Sequence, residues 1–251
     1  EALGFDQPRF AHIPLMLGPD RSKLSKRHGA PNVCDFHEKG YPSEAVINYL
    51  AFLGWSVPDG REIVSIDELI AEFTLERVSK APGIFDIAKL DWVSAQHIRA
   101  GGSDRYLEDA LPYFPPEFKA KYSLDTLREI MDILSENLSC FSMIGDEAAP
   151  FRPGPPDLGD EASSLLGGLG DLVAAFTAEF EALGEWNSNE IREAIKRTGK
   201  RRGVKGRDLF MPLRAAVTGI LHGPDLVNIL RIRGREDVLG SLRKVSNKAG
   251  T

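Results

Sequence analysis

The sequence predicts a mainly α protein, a multi-subdomain helical chain with a small α/β remnant at its N-terminus. Three observations carry that prediction. Apolar residues recur at three- and four-residue spacing through most of the chain. Cap residues and Pro or Gly breaks fall between those stretches. Strand-like character is confined to residues 10–17 (FAHIPLML), where Pro14 argues against a central strand.

Each element follows from its own signals. Pro42 opens PSEAVINYLAFLGW, in which Val46, Leu50 and Leu53 share a face and Gly54 stands at the C′ position. Ser65 and Glu68 have capping-box spacing for a helix reaching about Val78. Pro82-Gly83 breaks the chain, and Asp86 caps IAKLDWVSAQHI. Gly101-Gly102 marks another break, and Asp104 starts a helix that ends before Pro115-Pro116. Leu124, Leu127, Met131, Leu134, Leu138 and Phe141 then predict an amphipathic helix of about five turns, one wall of a helical bundle. Residues 145–160 (GDEAAPFRPGPPDLGD) read as a Pro/Gly/acidic linker. Beyond it, residues 161–183, 187–197, 212–221, 225–232 and 236–245 read as helices, with Asn187 and Glu190 at cap and N3 spacing.

With 251 residues and 42% hydrophobic content, the chain is long enough for one large domain or several small ones. No apolar run approaches the roughly 20 residues that cross a bilayer, so no membrane association is expected. Cys34 and Cys140 lack CxxC spacing, which argues against a disulfide framework or a zinc site and suits a reducing cytoplasm. The histidines His12, His28, His37, His97 and His222 are scattered without metal-ligand spacing. Trp55 and Trp92 end apolar faces and are expected in the core, and Cys34 is expected to be a small buried residue. The opening EALGFDQPRF has neither an initiator Met nor a signal peptide, so a piece of a longer chain is expected.

The net charge of −6 conceals an asymmetry. Residues 191–251 hold 15 Lys and Arg against 5 Asp and Glu, whereas residues 1–190 hold 16 against 32. A basic C-terminal quarter on an acidic body points to a local polyanion site, the alternative being a solvated basic face. Its densest part is KRTGKRRGVKGR (196–207), with seven cations in twelve positions and no acid. Such a run can track a phosphate backbone and should release RNA as salt rises. Its glycines predict a loop or a fraying helix end. A second basic cluster, DRSKLSKRHG (20–29), contains no Gly-rich phosphate cradle and is no P-loop. It offers ammonium groups and hydroxyls, equipment for stabilising a leaving phosphate. A solvated loop is the competing reading of that stretch.

RFAHIPLMLGPDRSKLSKRHGA and FHEKGYPSEAVINYLAFLGW together resemble the bacterial glutamyl-tRNA synthetases, class I aminoacyl-tRNA synthetases. APGIFDIAKLDW (81–92), KGRDLFMPLRAAVTG (205–219) and GPDL (223–226) follow in the family's order. The resemblance covers essentially the whole chain. It implies that KLSKR (23–27) is the family's version of the class I signature loop, with Lys26 and Lys23 meeting the ATP phosphates and Ser25 and Arg27 shaping the loop. It implies the end of the catalytic domain over 1–30 and a helical domain that supports the tRNA stem over 31–103. Anticodon-binding helical subdomains would occupy 104–153 and 154–251. Arg214 and the Pro224–Leu226 turn match positions that contact anticodon bases. An Arg fork can hydrogen-bond and stack on a splayed base, and a Gly-Pro turn leaves backbone groups open to one. Lys200, Arg201, Arg202, Lys205 and Arg207 are then expected to touch RNA.

The implied reaction is the joining of glutamate to its tRNA with ATP, and Mg²⁺ accompanies ATP in the full enzyme. A monomer in the cytoplasm is expected. The family's HIGH-type motif is absent here, since His12-Ile13 is followed by Pro14-Leu15, so this chain alone is not expected to activate glutamate. A second departure is Asn137, where the family often carries an Arg linked to the third anticodon base. That predicts relaxed discrimination, with glutamine tRNA accepted beside glutamate tRNA. Two rival readings are a stand-alone, non-catalytic tRNA-binding module or assembly partner, and a helical scaffold with no RNA role.

Overall fold

The computed structural model describes residue 4, residues 10–24 and residues 32–249, the last three without their side chains. Ser25, Lys26 and Arg27 lie outside the described residues. The chain divides into two compact units, one of residues 1–110 with 135–143 and one of residues 111–134 with 144–251.

The first unit begins with the short strand β1 (Met16–Leu17), which pairs in parallel with β2 (Gly83–Ile84), Met16 opposite Gly83. Gly83 is needed there because a Cβ would stand 2.0 Å from the carbonyl oxygen of Leu53. Helix α1 (Val33–Glu38) is opened by a capping box between Asn32 and Asp35. Helix α2 (Ser43–Phe52) follows Pro42, and α3 (Ile66–Glu72) has the Ser65–Glu68 capping box that its spacing predicts. α3 stops at Glu72 instead of reaching Val78. Phe73 is extended and packs on Trp55 at a centroid distance of 5.7 Å, and the chain resumes as one 3₁₀ turn, Leu75–Arg77.

Helix α4 (Ile87–Ala110) is opened by the Asp86 carboxylate, which accepts from the Ala88 N–H at 2.9 Å. It is broken at Gly102 (φ 52°, ψ −155°), where the sequence places a break. Phe36, Tyr41, Tyr49, Phe85, Leu90 and Val93 form the core of this unit. Tyr49 ties it to the chain by accepting from the Asp86 N–H and donating to the Asp86 carbonyl, at 2.7 and 2.9 Å. Two expectations fail here. Trp92 is 41% exposed, because the ammonium of Lys89 lies 3.9 Å over its ring and holds it at the surface. Cys34 is exposed, standing in the first turn of α1 with Phe36 turned to the core instead.

The second unit contains α5 (Pro116–Lys121), α6 (Leu124–Leu134), α7 (Ile144–Glu147), α8 (Asp160–Leu166), α9 (Gly170–Glu181), α10 (Ser188–Arg202), α11 (Arg207–Thr218), α12 (Leu226–Arg233) and α13 (Arg235–Ala249). α6 is three turns long, not five. Ser135-Glu136-Asn137 turns the chain out of the helix, since Ser and Asn compete for backbone groups, and Leu138 and Phe141 are buried beyond that turn. The stretch read as a linker is wound into α7 and a 3₁₀ turn (Ala149–Phe151), because Ile144, Ala148 and Phe151 are fully buried. The single helix expected over 161–183 is two, α8 and α9, separated at Gly167-Gly168, where Gly168 has φ 78°.

α9 is the centre of the unit and packs on α10 and α13. Phe176, Phe180 and Trp186 form an aromatic row with centroid spacings of 6.1 and 5.5 Å. Burying side chains of this size contributes roughly 1.5–3 kcal/mol each. The buried Arg233 ties the helices together. It donates to Asp237 at 2.6 Å, to the Gly154 carbonyl at 2.7 Å, to the Ser241 hydroxyl at 3.0 Å and to the Val217 carbonyl.

Candidate nucleic-acid interface

In the second unit the basic segment starts as helix. Asn187 caps α10 by accepting from the N–H groups of Asn189 and Glu190, at 3.1 and 3.0 Å. The helix continues to Arg202, so the expected loop is confined to residues 203–206. Apolar residues Ile191, Ala194 and Ile195 with Thr198 and Gly199 face the core, which leaves the cations on the opposite side. Gly203 ends the helix in the left-handed conformation (φ 69°, ψ 21°), and the Val204 N–H donates back to the Gly199 carbonyl at 2.9 Å.

The seven cations are not equivalent. Lys196 pairs with Glu193 at 2.7 Å. Arg197 and Arg201 both reach Glu179 on α9, a carboxylate only 7% exposed. Lys200, Arg202, Lys205 and Arg207 are exposed and have no carboxylate partner among the described residues. They therefore form the unneutralised part of the segment. Arg201, expected at RNA, is already engaged. Glu179 was not singled out from sequence; its one signal is an acid between Phe176 and Phe180 on an otherwise apolar face.

Arg214 and the GPDL turn come together. Arg214 stands on α11 and donates to the carbonyls of His222 (3.3 Å) and Pro224 (2.7 Å). The guanidinium is half-buried, and burial lowers its pKa, with Asp225 acting in the opposite sense. The turn itself is tight. Gly223 has φ 123°, and a Cβ on it would lie 3.1 Å from Pro150. Asp225 caps α12 by accepting from the Asn228 N–H at 3.1 Å. His222, Gly223 and Asp225 are exposed, whereas the Leu226 side chain is in the core. Leu226 is thus largely closed to a ligand.

Two further sites belong to the first unit. Lys23 follows a reversal in which Gly18 N–H donates to Ser22 O at 2.9 Å and Asp20 accepts from the Ser22 N–H and hydroxyl. It lies antiparallel to Leu17, exposed and without a carboxylate partner among the described residues. Asn137 is exposed in the turn after α6. Beside it, Arg99 of α4 pairs with the Glu136 carboxylate at 3.2 Å and donates to the Glu136 carbonyl at 2.8 Å. Among the described residues no His, Cys, Asp and Glu side chains group as a metal site, and no helix is long and apolar enough to cross a membrane.

Comparison with known proteins bears on both units. Residues 1–92 match the model for the catalytic domain of class I tRNA synthetases (E and Q), and residues 105–246 match the anticodon binding domain. Glutamate–tRNA ligase 1 of Caldicellulosiruptor saccharolyticus is 41% identical over 249 residues, which are 96% of this chain and 51% of that protein. Glutamate–tRNA ligase 2 of Caldanaerobacter subterraneus is 37% identical, over 98% of this chain and 52% of its own length. The chain thus spans about half the length of the curated relatives it matches. A crystal structure of a glutamate tRNA ligase from Elizabethkingia meningosepticum superposes with a TM-score of 0.87 at 27% identity, over 99% of this chain and 53% of that one.

Proposed function

Because the chain belongs to the glutamate–tRNA ligase family of class I synthetases, we propose that the protein joins glutamate to tRNA with ATP and that this chain supplies the tRNA-reading part. The observation that carries the proposal is the Arg214 fork locked to the carbonyls of His222 and Pro224. It fixes a turn in which His222, Gly223 and Asp225 are exposed, in the same unit as the exposed Lys200, Arg202, Lys205 and Arg207. Single-stranded RNA is recognised by this combination of donors near splayed bases and cations near phosphates.

The roles divide by location. Arg214 and Pro224 would receive an anticodon base, with Leu226 behind them in the core. Lys200, Arg202, Lys205 and Arg207 would meet phosphates, with Arg201 contributing at most in part because of Glu179. Lys23, with Lys26, Ser25 and Arg27 beside it in sequence, would meet the triphosphate as adenylate forms, where ammonium groups balance the charge of departing pyrophosphate. Magnesium is expected to accompany ATP, and no ligand for it is assigned to this chain. We place the protein in the cytoplasm as a monomer.

Asn137 bears on which tRNA is accepted. An Asn amide offers an NH₂ donor and a carbonyl acceptor to a base edge but carries no charge. The nearby Arg99 is held by Glu136. Relaxed discrimination follows, with glutamine tRNA bound beside glutamate tRNA.

The test is binding of a glutamate tRNA transcript over a salt series, with glutamine tRNA and an unrelated tRNA as controls. Salt-sensitive binding that Arg214→Ala weakens supports the reading. Binding insensitive to that substitution removes the anticodon assignment. Equal affinity for the glutamate and glutamine tRNAs supports relaxed discrimination, and a clear preference for glutamate tRNA excludes it.

A further inference from the structure

Residues 150–157 cross the end of α11 as a strap, and one ion pair holds them there. Arg233 donates through Nε to Asp237 Oδ2 at 2.6 Å. The two residues then grip Gly154 by both of its backbone groups. Arg233 donates to the Gly154 carbonyl at 2.7 Å, and Asp237 Oδ1 accepts from the Gly154 N–H at 2.6 Å. Gly154 has φ 86°, a conformation that glycine adopts without strain. The same guanidinium donates to the Val217 carbonyl in the last turn of α11.

Close packing does not hold the strap at this point. A cavity of about 210 Å³ opens between it and the end of α11, lined by Gly154, Pro156, Asp157, Thr218, Ile220 and Arg233. Burying an ion pair is costly, and an apolar pair of similar volume is often as stabilising. What the charged pair adds is a fixed register between strap and helix.

The strap in turn abuts the α11–α12 connection at both of its glycines. Gly219 ends α11 in the left-handed conformation (φ 75°), and a Cβ on it would stand 2.7 Å from the Asp157 carbonyl oxygen and 3.1 Å from Pro156. Gly223 lies between Pro150 and Arg214. A Cβ on it would be 3.1 Å from the Pro150 ring and 3.5 Å from Arg214 Nη1. Pro150 is buried, and the Phe151 carbonyl next to it accepts from the buried Tyr122 hydroxyl at 2.6 Å. Arg214 thus braces the turn from one side, and the strap bears on it from the other.

We propose that Arg233 and Asp237 are positioning residues for base recognition, which act through the strap to set the conformation of the Arg214 turn. Their side chains are 1% and 10% exposed, so their effect on RNA passes through the turn and not through direct contact. The proposal rests on the anticodon reading above and adds a buried determinant to it.

The experiment uses the anticodon stem–loop of a glutamate tRNA, intact or with each anticodon base exchanged in turn. Binding is measured for the chain as it stands and for Arg214→Ala, Asp237→Asn and the double variant. Arg214→Ala identifies the base read at the turn as the one whose exchange no longer matters. Asp237→Asn keeps the shape but sets an NH₂ group against one of the two donors, Arg233 Nε–H or the Gly154 N–H. It should bind the intact stem–loop about tenfold more weakly and lose its preference for that same base. Its preferences at the other positions and its salt slope should stay unchanged. The double variant should bind as Arg214→Ala does, since both losses fall on one interaction. A purely structural role would lower the melting temperature and leave base preference alone.

A folded Asp237→Asn with every base preference intact, where Arg214→Ala has lost one, overturns the positioning role and leaves the anticodon reading standing. Arg214→Ala with every base preference intact overturns both, as does absence of any RNA binding. Should Asp237→Asn fail to fold, hydrogen exchange in the unsubstituted chain decides. Coupling is reciprocal, so a base at the turn must also steady the strap. At saturation the intact stem–loop should slow exchange of the Gly154 amide more than the loop with that base exchanged. Equal exchange under the two RNAs overturns the positioning role.

Discussion

Glu179 on α9 accepts from the Arg197 Nε on α10 at 3.0 Å and from Arg201 one helical turn further on. One nearly buried carboxylate thus neutralises two of the seven cations in the most basic segment of the chain. Substituting Glu179→Gln keeps the shape and removes the charge. Stability should fall by about 1–2 kcal/mol, limited by the solvent exposure of both arginines. The freed arginines should steepen the slope of log K for RNA against log salt by up to about 0.7 for each phosphate met. Urea melts and a salt titration check the two effects.

Arg214 braces the turn and, on the proposed reading, also meets the anticodon. Arg214→Ala should cost about 1–3 kcal/mol of stability in the second unit, because the carbonyls of His222 and Pro224 lose a charged donor. RNA binding should weaken about tenfold or more. Arg214→Lys should restore the charge but only part of the affinity, since an ammonium lacks the planar fork that spans two acceptors. Binding of the three proteins at one salt concentration separates charge from geometry.

The exposed cations should behave differently. Lys200→Gln, Arg202→Gln and Lys205→Gln should each leave stability within about 0.5 kcal/mol. Each should weaken binding to all tRNAs alike and reduce the salt slope by about 0.7–0.9. A sequence-dependent effect at any of them would place that residue at a base.

His97 predicts a pH effect on the first unit. Its Nε2 lies 2.9 Å from Asn48 Oδ1, and Asn48 is fully buried. Asn48 Oδ1 also accepts from the Val64 N–H at 3.1 Å, so a neutral His97 donates through Nε2. Burial lowers the His97 pKa below its ordinary value of about 6.5, with Glu44 acting in the opposite sense. The unfolded chain then binds the extra proton more readily than the folded one. Stability is full above about pH 6.5 and falls as pH drops below it, until the folded-state pKa is passed. His97→Gln should flatten that part of the stability profile, as read by urea melts from pH 5 to pH 8.

Gly199→Ala tests the close approach of α10 to Leu209 and the Val204 carbonyl. The added methyl meets Leu209 and the Val204 carbonyl at 2.7 Å. Overpacking of this kind should destabilise the second unit by about 1–3 kcal/mol. Shifting residues 203–207 should also weaken RNA binding. A loss of stability without any loss of affinity would show that the position of Lys205 and Arg207 is immaterial.

What the sequence determined by itself was set by local chemistry. Ser65 with Glu68, Asn187 with Glu190, and the break at Gly101-Gly102 each specify backbone geometry within four residues, and all three are found. The helical class follows from the same spacing rules, and the family from the ordered motifs. Composition misled where burial decided. Residues 145–151 carry the Pro, Gly and acidic signature of a linker, yet Ile144, Ala148 and Phe151 find a core and wind the stretch into turns. Leu138 and Phe141 keep a helical spacing in sequence but are buried outside the helix, because period alone does not say where a helix stops.

The charges show the limit most clearly. Sequence singles out Lys200, Arg201, Arg202, Lys205 and Arg207 as RNA contacts and does not separate Arg201 from the rest. Only the tertiary structure brings Glu179 to two of the seven cations, Arg197 and Arg201, and leaves Lys200, Arg202, Lys205 and Arg207 without a carboxylate partner among the described residues. Likewise Arg214 and Pro224 are ten residues apart in the chain and 2.7 Å apart, donor to acceptor, in the fold. Electrostatics and hydrogen bonding act through space, so which cation stays free for a polyanion is decided by packing, not by order along the chain.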